Sequence, residues 1–427
     1  MEKMIRRDKY LAQARMFAHD DIIIVVTGVR RCGKSTLLRM LREELQYNAD
    51  SDDVFISANL ENLDLNITTA DDLYQYCISR LGKKNNYIFL DEIQNVPNWH
   101  RVVNSLRIKP GCHIFLTGSN ARLFSGSLAT YLSGRYVEIK MQPLVFSEYL
   151  NFLGLSPSDN PQMLLDSHNA PLLTDAVLEQ FLRWGGFPAL AQSTVTQEQH
   201  EIYLQSIYDT VIERDIMMRE HLRSLEGQPR GIKNADLLRT LCTFLADNVG
   251  NPCSYSSIAR ALKPAITTTD KTVANYINTL NEAYIFEPVT RYDLHGKHIL
   301  RTAPKQYVVD LGLRSFLLGY RDSDSGRAFE NLVYLQLRYL GYSVHVGSLY
   351  GKEVDFVCEK AGQRIYIQVT ESMVEKATQV RELAPLEALH DNFPKFVITR
   401  QGIYPPDING IKIINAAQFL LAADPLS

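Results

Sequence analysis

Gly28-Val29-Arg30-Arg31-Cys32-Gly33-Lys34-Ser35-Thr36 follows a run of β-branched apolar residues (22–26) and opens an amphipathic helical pattern. Glycines at the first and sixth positions let the backbone turn tightly, so its N–H groups converge on one point. The helix N-terminus adds its partial positive charge. These residue types at this spacing suit a polyphosphate: Lys34 would reach the β- and γ-phosphates, and the Ser35 hydroxyl would ligate Mg²⁺. The bland alternative, a chance glycine-rich turn, does not explain why buried strand, loop and helix come in this order.

A second constellation lies in "YIFLDEIQNV" (87–96). Four apolar residues deliver Asp91 and Glu92 to the C-terminal end of a strand, where open α/β sheets bind ligands. Asp91 would hold Mg²⁺ and Glu92 would polarise the attacking water. An acidic pair can also merely cap a strand, but downstream of a phosphate loop it reads as the second half of a hydrolytic site. In "HIFLTGSNARL", Ser119 and Asn120 are candidates to sense the γ-phosphate, against the plainer reading of a turn. In "LSGRYVEI", Arg135 is a candidate to stabilise transition-state charge, in cis or across a subunit interface. Its bland reading is an exposed arginine at a strand start.

These residues need a frame. Residues 1–145 alternate apolar runs with helical patterns, as a parallel sheet with crossover helices does. Strands are expected at 22–28, 53–60, 86–93, 113–119 and 135–141. All but the last are almost continuously apolar, the mark of a sheet covered on both faces. Residues 155–173, rich in Pro, Ser, Asp and Asn, read as a loop, helical patterns follow to about 222, and "RSLEGQPRG" reads as a linker.

With 427 residues the chain is too long for one small core. Its 45 Lys and Arg against 48 Asp and Glu give −3, so nucleic-acid binding would need a local basic patch. The six cysteines form no CxxC pair, which argues against zinc and a disulfide framework and fits a reducing cytoplasm. No apolar stretch approaches the ~20 residues needed to cross a bilayer, so no membrane partner is expected.

At these motifs the chain resembles AAA+-type P-loop ATPases. More narrowly, it is similar to the prokaryotic group carrying "GVRRCGKST", "LDEIQ", "TGSNA", "SGRY", "PLVFSEYL" and a later "GGFP". The resemblance covers the whole chain and implies an ATPase core at 1–142, a helical lid at 143–222 and a C-terminal, degenerate restriction-nuclease-like part. Within the lid, Arg183 and Arg214 are candidates for an arginine touching phosphate, against simple surface salt bridging.

Residues 232–310 read as a winged helix. Ser254 or Ser256 caps a short helix, Thr269 starts a second with Val273, Tyr276, Ile277 and Leu280 at core spacing, and His295-Gly296 turns a hairpin. Thr268, Thr269, Lys271, Thr272 and Asn275 would then face DNA bases. An excess of three positive charges over 256–307 leaves DNA binding and protein docking both open.

Residues 326–427 have the order of a PD-(D/E)xK nuclease, with Glu330 on a helix and Asp355 on a strand. Such a site needs two or three carboxylates for Mg²⁺ and a lysine near the attacking water. Gln368 and Thr370 stand where the acidic residue and the lysine should be, and Glu371 falls on the other face. Lys352 is the nearby substitute, and catalysis by this part is not expected.

The fold expected is therefore α/β: a P-loop NTPase parallel sheet with a helical lid, then a winged-helix unit and a restriction-endonuclease-like domain. The function expected is an ATP- and Mg²⁺-dependent switch, a hydrolase of ATP that couples nucleotide state to C-terminal DNA- or protein-binding modules and works as a homo-oligomer. The alternatives are an ATP-gated nuclease and a nucleotide-binding scaffold without turnover.

Overall fold

The structure, a computed structural model, describes residues 5–119, 132, 134–191, 195–218, 232–263, 266–321 and 324–426. Asn120, a candidate above, lies outside the described residues, as does the side chain of Arg214. The chain divides into two compact units, Met1–Gln142 with Glu282–Tyr284, and Pro143–Asn281 with Ile285–Ser427.

The first unit is built on five parallel strands. They are β1 (Ile23–Thr27), β2 (Val54–Asn59), β3 (Asn86–Asp91), β4 (Cys112–Gly118) and β5 (Tyr136–Lys140), in the order β2-β3-β4-β1-β5. All five residues of β1 are buried, because it pairs with β4 on one side and β5 on the other while helices cover both faces. The helices are α1 (Asp8–Arg15), α2 (Lys34–Tyr47), α3 (Ala70–Ile78) and α4 (Trp99–Arg107). Trp99, Val102, Val103 and Leu106 of α4 recur at helical spacing and pack with Ile88, Leu90 and Leu116 of the sheet.

The second unit is α/β as well, and it departs from the sequence reading in two places. Residues 155–173 are not a plain loop. They carry a small antiparallel sheet of β6 (Ser156–Pro157), β7 (Met163–Leu165) and β8 (Pro171–Leu173). Two- and three-residue strands are too short to show a period, and the turn chemistry of Asn160 and Asp166 masks them; Asp166 accepts from the N–H groups of His168 and Ala170 at 2.8 Å each.

The second departure concerns the hairpin of β9 (Phe286–Asp293) and β10 (His298–Val308), expected as the wing of a winged helix. It is continuous with the C-terminal strands, because β9 also pairs in parallel with β11 (Ser343–Leu349). With β12 (Lys352–Lys360), β13 (Gln363–Thr370), β14 (Lys395–Thr399), β15 (Asp407–Ile408) and β16 (Ile411–Asn415), the result is one eight-stranded sheet, in the order β10-β9-β11-β12-β13-β14-β16-β15. Ahead of the hairpin, Ser254 caps the helix Tyr255–Leu262, and Val273, Tyr276, Ile277 and Leu280 are the buried face of the helix Asp270–Glu282.

The tags "PLVF" and "GGFP" meet here. Leu144 N–H donates to the Gly186 carbonyl and Gly186 N–H to the Asp310 carboxylate, each at 2.7 Å. A Cβ on Gly186 would fall 2.2 Å from the Leu144 carbonyl oxygen, so only glycine fits this crossing. Asp310 also caps the helix Leu311–Leu318 through Leu313 N–H. Burial pushes the Asp310 carboxyl up to about 6, against the pull of the Gly186, Leu313 and Gly312 amides. Among the described residues, no helix is long and apolar enough to cross a membrane.

Candidate nucleotide site

Gly28 leaves β1 with φ 141° and Gly33 enters α2 with φ 104°, both in the region that disfavours side chains. A Cβ on Gly28 would lie 2.1 Å from the Met141 carbonyl oxygen. Between the glycines, Val29 and Cys32 are buried, Arg31 takes φ 65° and points outward, and Arg30 pairs with Glu61 at 2.9 Å. The loop is braced from behind. Buried Arg7 donates to the Cys32 carbonyl at 3.2 Å and to the Gln142 carbonyl at 2.8 Å. Burial pushes the Cys32 thiol up, against Lys34 and Arg7, so it is a packing group rather than a nucleophile.

Lys34 is 4% exposed, and its ammonium donates to the carbonyls of Gly28 at 3.1 Å and Val29 at 3.2 Å. The Ser35 hydroxyl, exposed on the first turn of α2, donates to Asp91 Oδ1 at 3.0 Å. Thr36 follows on the same turn, half-buried. Ser35 and Asp91 together present hard oxygen donors at a helix N-terminus, the donor chemistry that Mg²⁺ takes. Bound there, the ion would supply positive charge against the phosphates.

Glu92 follows Asp91 in a left-handed conformation, φ 54°, with its side chain buried. Its Oε2 accepts from Gln94 Nε2 and, at 3.4 Å, from the Ser119 hydroxyl at the end of β4. Ser119, 3% exposed, is thus brought to the carboxylate. Thr117 was missed by the sequence reading. It donates to Asp91 Oδ1 and accepts from Glu92 N–H at 2.9 Å, so it fixes both acids at once. A hydroxyl facing inward from the strand beside the acidic pair was the available signal.

Arg135 is not brought to the loop. It sits exposed at the start of β5, where its carbonyl accepts from Ile23 N–H at 3.0 Å. The phosphate loop leaves the opposite edge of the sheet, beyond Thr27, which pairs with Lys140. Five residues of extended strand separate the two ends of β5 by roughly 16 Å. Arg183 lies over the rings of Trp184 at 4.6 Å and Tyr320 at 5.4 Å, a stacking position rather than a phosphate contact.

In the C-terminal sheet, Glu330 and Asp355 do converge, but around a lysine the sequence reading did not name. Lys305 of β10, 1% exposed, reaches Glu330 at 3.1 Å and Glu353 at 2.7 Å. Burial alone would lower its pKa, yet the charges of Glu330, Asp355 and Glu353 hold it above the usual value. Burial and the Glu330 charge push Asp355 well up. Gln368, in the expected acidic position, accepts from Asp355 N–H at 3.3 Å and donates to Glu382 at 3.2 Å. Lys352 is exposed, and Glu371 lies 3.6 Å from Arg400. Among the described residues, no three His, Cys, Asp or Glu side chains are grouped so as to hold a metal ion.

Residues 20–150 match the model of an AAA domain, and residues 175–324 that of a domain of unknown function, DUF8612. An uncharacterised protein of Haemophilus influenzae is 34% identical over 422 residues, 98% of this chain and 99% of that relative. One of Methanocaldococcus jannaschii is 30% identical over 386 residues, 88% of this chain and 82% of that relative. Among solved structures, the Walker-type ATPase of Pyrococcus abyssi aligns with 13% identity and a TM-score of 0.46, over 74% of this chain and 96% of that one. The chain belongs to the family of these Haemophilus and Methanocaldococcus proteins, and its N-terminal part is an AAA-type P-loop ATPase domain.

Proposed function

We propose that the chain is an ATP-hydrolysing switch. Gly28 to Thr36 cradle the phosphates, Lys34 supplies the countercharge, Ser35 and Asp91 hold Mg²⁺, and Glu92 takes the proton of the attacking water. The observation that carries the reading is the 3.0 Å bond from Ser35 to Asp91, which joins the phosphate loop to the acidic strand end. Arg135 acts in trans, from a second copy of the chain.

Residues 1–142 form the motor, 143–222 a lid, and 232–310 and 326–427 the modules it repositions in the cytoplasm. DNA is a ligand that the helix Asp270–Glu282 suits: Thr269, Lys271 and Asn275 are exposed near its N-terminus. Protein docking is the competing partner. Nucleic-acid cutting is not part of the proposal, because the Lys305 ammonium sits among the carboxylates that a metal would need.

The test is ATP turnover by the purified chain, with and without duplex DNA, over a range of salt. Lys34→Ala is expected to abolish nucleotide binding. Glu92→Gln is expected to bind ATP and lose turnover by roughly 10²- to 10⁴-fold. Full turnover in Glu92→Gln removes that residue from its role. Stimulation by DNA that fades with salt favours a nucleic-acid partner, and its absence at low salt favours protein docking.

A further inference from the structure

We propose that Gln94 holds the attacking water jointly with Glu92, a role that rests on the ATP-hydrolysis reading above. Gln94 lies in the short 3₁₀ turn Ile93–Asn95, for which Glu92 is the preceding residue. The left-handed φ of 54° at Glu92 bends the chain there, so the side chain of residue 94 folds back on residue 92.

Gln94 Nε2 donates to Glu92 Oε2 and lies 3.4 Å from the Ser119 hydroxyl, which donates to the same Oε2 at 3.4 Å. Two donors on one carboxylate oxygen leave Glu92 Oε1 as the oxygen that can take a proton. The Gln94 amide oxygen is itself buried and has no hydrogen-bond partner among the described residues. Reversing the amide would set oxygen against carboxylate oxygen, so the orphan acceptor is the atom turned away from Oε2. A buried acceptor without a donor is disfavoured in a packed interior, and it is retained where a ligand supplies the donor.

Water donates two hydrogen bonds, one to Glu92 Oε1 and the other to Gln94 Oε1, which aims a lone pair of the water oxygen at the γ-phosphorus. The new O–P bond forms as the bond from γ-phosphorus to the β,γ-bridging oxygen breaks, and its electron pair stays on ADP. The proton passes to Glu92 Oε1 and leaves with inorganic phosphate. Gln94 gains and loses no proton; it fixes the direction of attack.

The test compares wild type, Gln94→Ala and Gln94→Met in full-length form by steady-state ATP turnover, with ADP binding by calorimetry on the same preparations. Gln94→Ala is expected to lower kcat roughly tenfold to a hundredfold, with KM and ADP affinity within about twofold of wild type. Gln94→Met keeps the length of the side chain and removes the amide oxygen; its kcat is expected to fall by a similar factor, again with KM and ADP affinity close to wild type.

Unchanged kcat in Gln94→Ala overturns the proposal. So does an unchanged kcat in Gln94→Met, which decides the matter if the alanine variant fails to fold. A wild-type chain that binds ADP and turns over no ATP overturns the hydrolysis reading itself, a result distinct from either.

Discussion

The Ser35 hydroxyl donates to Asp91 Oδ1 across 3.0 Å, and the same oxygen accepts from Thr117. One carboxylate oxygen thus ties α2, β3 and β4 together at the mouth of the phosphate loop. Asp91→Asn keeps the shape but removes the charge that a divalent ion needs. ADP affinity measured by calorimetry should then lose most of its magnesium dependence, while affinity in excess chelator stays close to wild type. An Asp91→Asn chain with full magnesium dependence would detach the ion from this residue.

Arg135 stands at the end of the sheet away from the loop, and the proposed function gives it a role from a second chain. Arg135→Ala should leave ADP binding intact and lower kcat by roughly a thousandfold, the scale of an arginine acting on phosphoryl transfer. Mixing Arg135→Ala with Glu92→Gln chains should restore a fraction of activity, since some sites then pair an intact acid with an intact arginine. No recovery in the mixture counts against the in-trans assignment.

Lys305 is the ammonium at the centre of Glu330, Glu353 and Asp355, with its side chain 2% exposed. Lys305→Met would keep the aliphatic volume and strand its carboxylate partners. Breaking a buried pair from one side costs about 3–5 kcal/mol. Urea unfolding should show that loss, and the combined Lys305→Met, Glu330→Gln chain should recover part of it. A neutral Lys305→Met would mean the carboxylates are already protonated.

Asp310 carries a pH prediction. Its folded value, about 6, lies above the 3.8 of a free aspartate, so the native state prefers the protonated form. The stabilisation is complete below about pH 3.8 and lost as pH rises through about 6, on the order of 3 kcal/mol in all. Asp310→Asn has no such titration. The difference in stability between wild type and Asp310→Asn should therefore move against wild type from about pH 4 to about pH 6.5. A pH-independent difference would show that the amides of Gly186, Leu313 and Gly312 hold the carboxylate ionised throughout.

Much of the first unit was legible in the sequence. Its strands are buried on both faces, so an uninterrupted run such as 22–28 announces β1 at Ile23–Thr27 without any partner being known. The phosphate loop is legible because its function rests on consecutive residues. What could not be read depends on pairing across the chain. Lys305 neutralises Glu330 only because β10 and β9 join the sheet that carries Glu353 and Asp355. Thr117 matters through registry with the acidic strand end. Arg135 was legible as a strand start, and in the parallel sheet expected of residues 1–145 a strand start lies at the end away from the phosphate loop, as the pairing of β5 with β1 has it. Gln94 was printed within the tag "LDEIQ", yet its value lies in a backward turn that no periodicity reports.

The parallel pairing of Val346, Gly347 and Ser348 with Arg291, Tyr292 and Asp293 has a bearing on how this chain can be divided. A fragment that stops before the helix Ser325–Leu340 would carry β9 with one row of amides and carbonyls naked, beside an exposed Ile299 on its neighbour. Unprotected strand borders recruit other strands. The hairpin is thus a seam rather than an appendage, and the last quarter of the molecule is its chaperone.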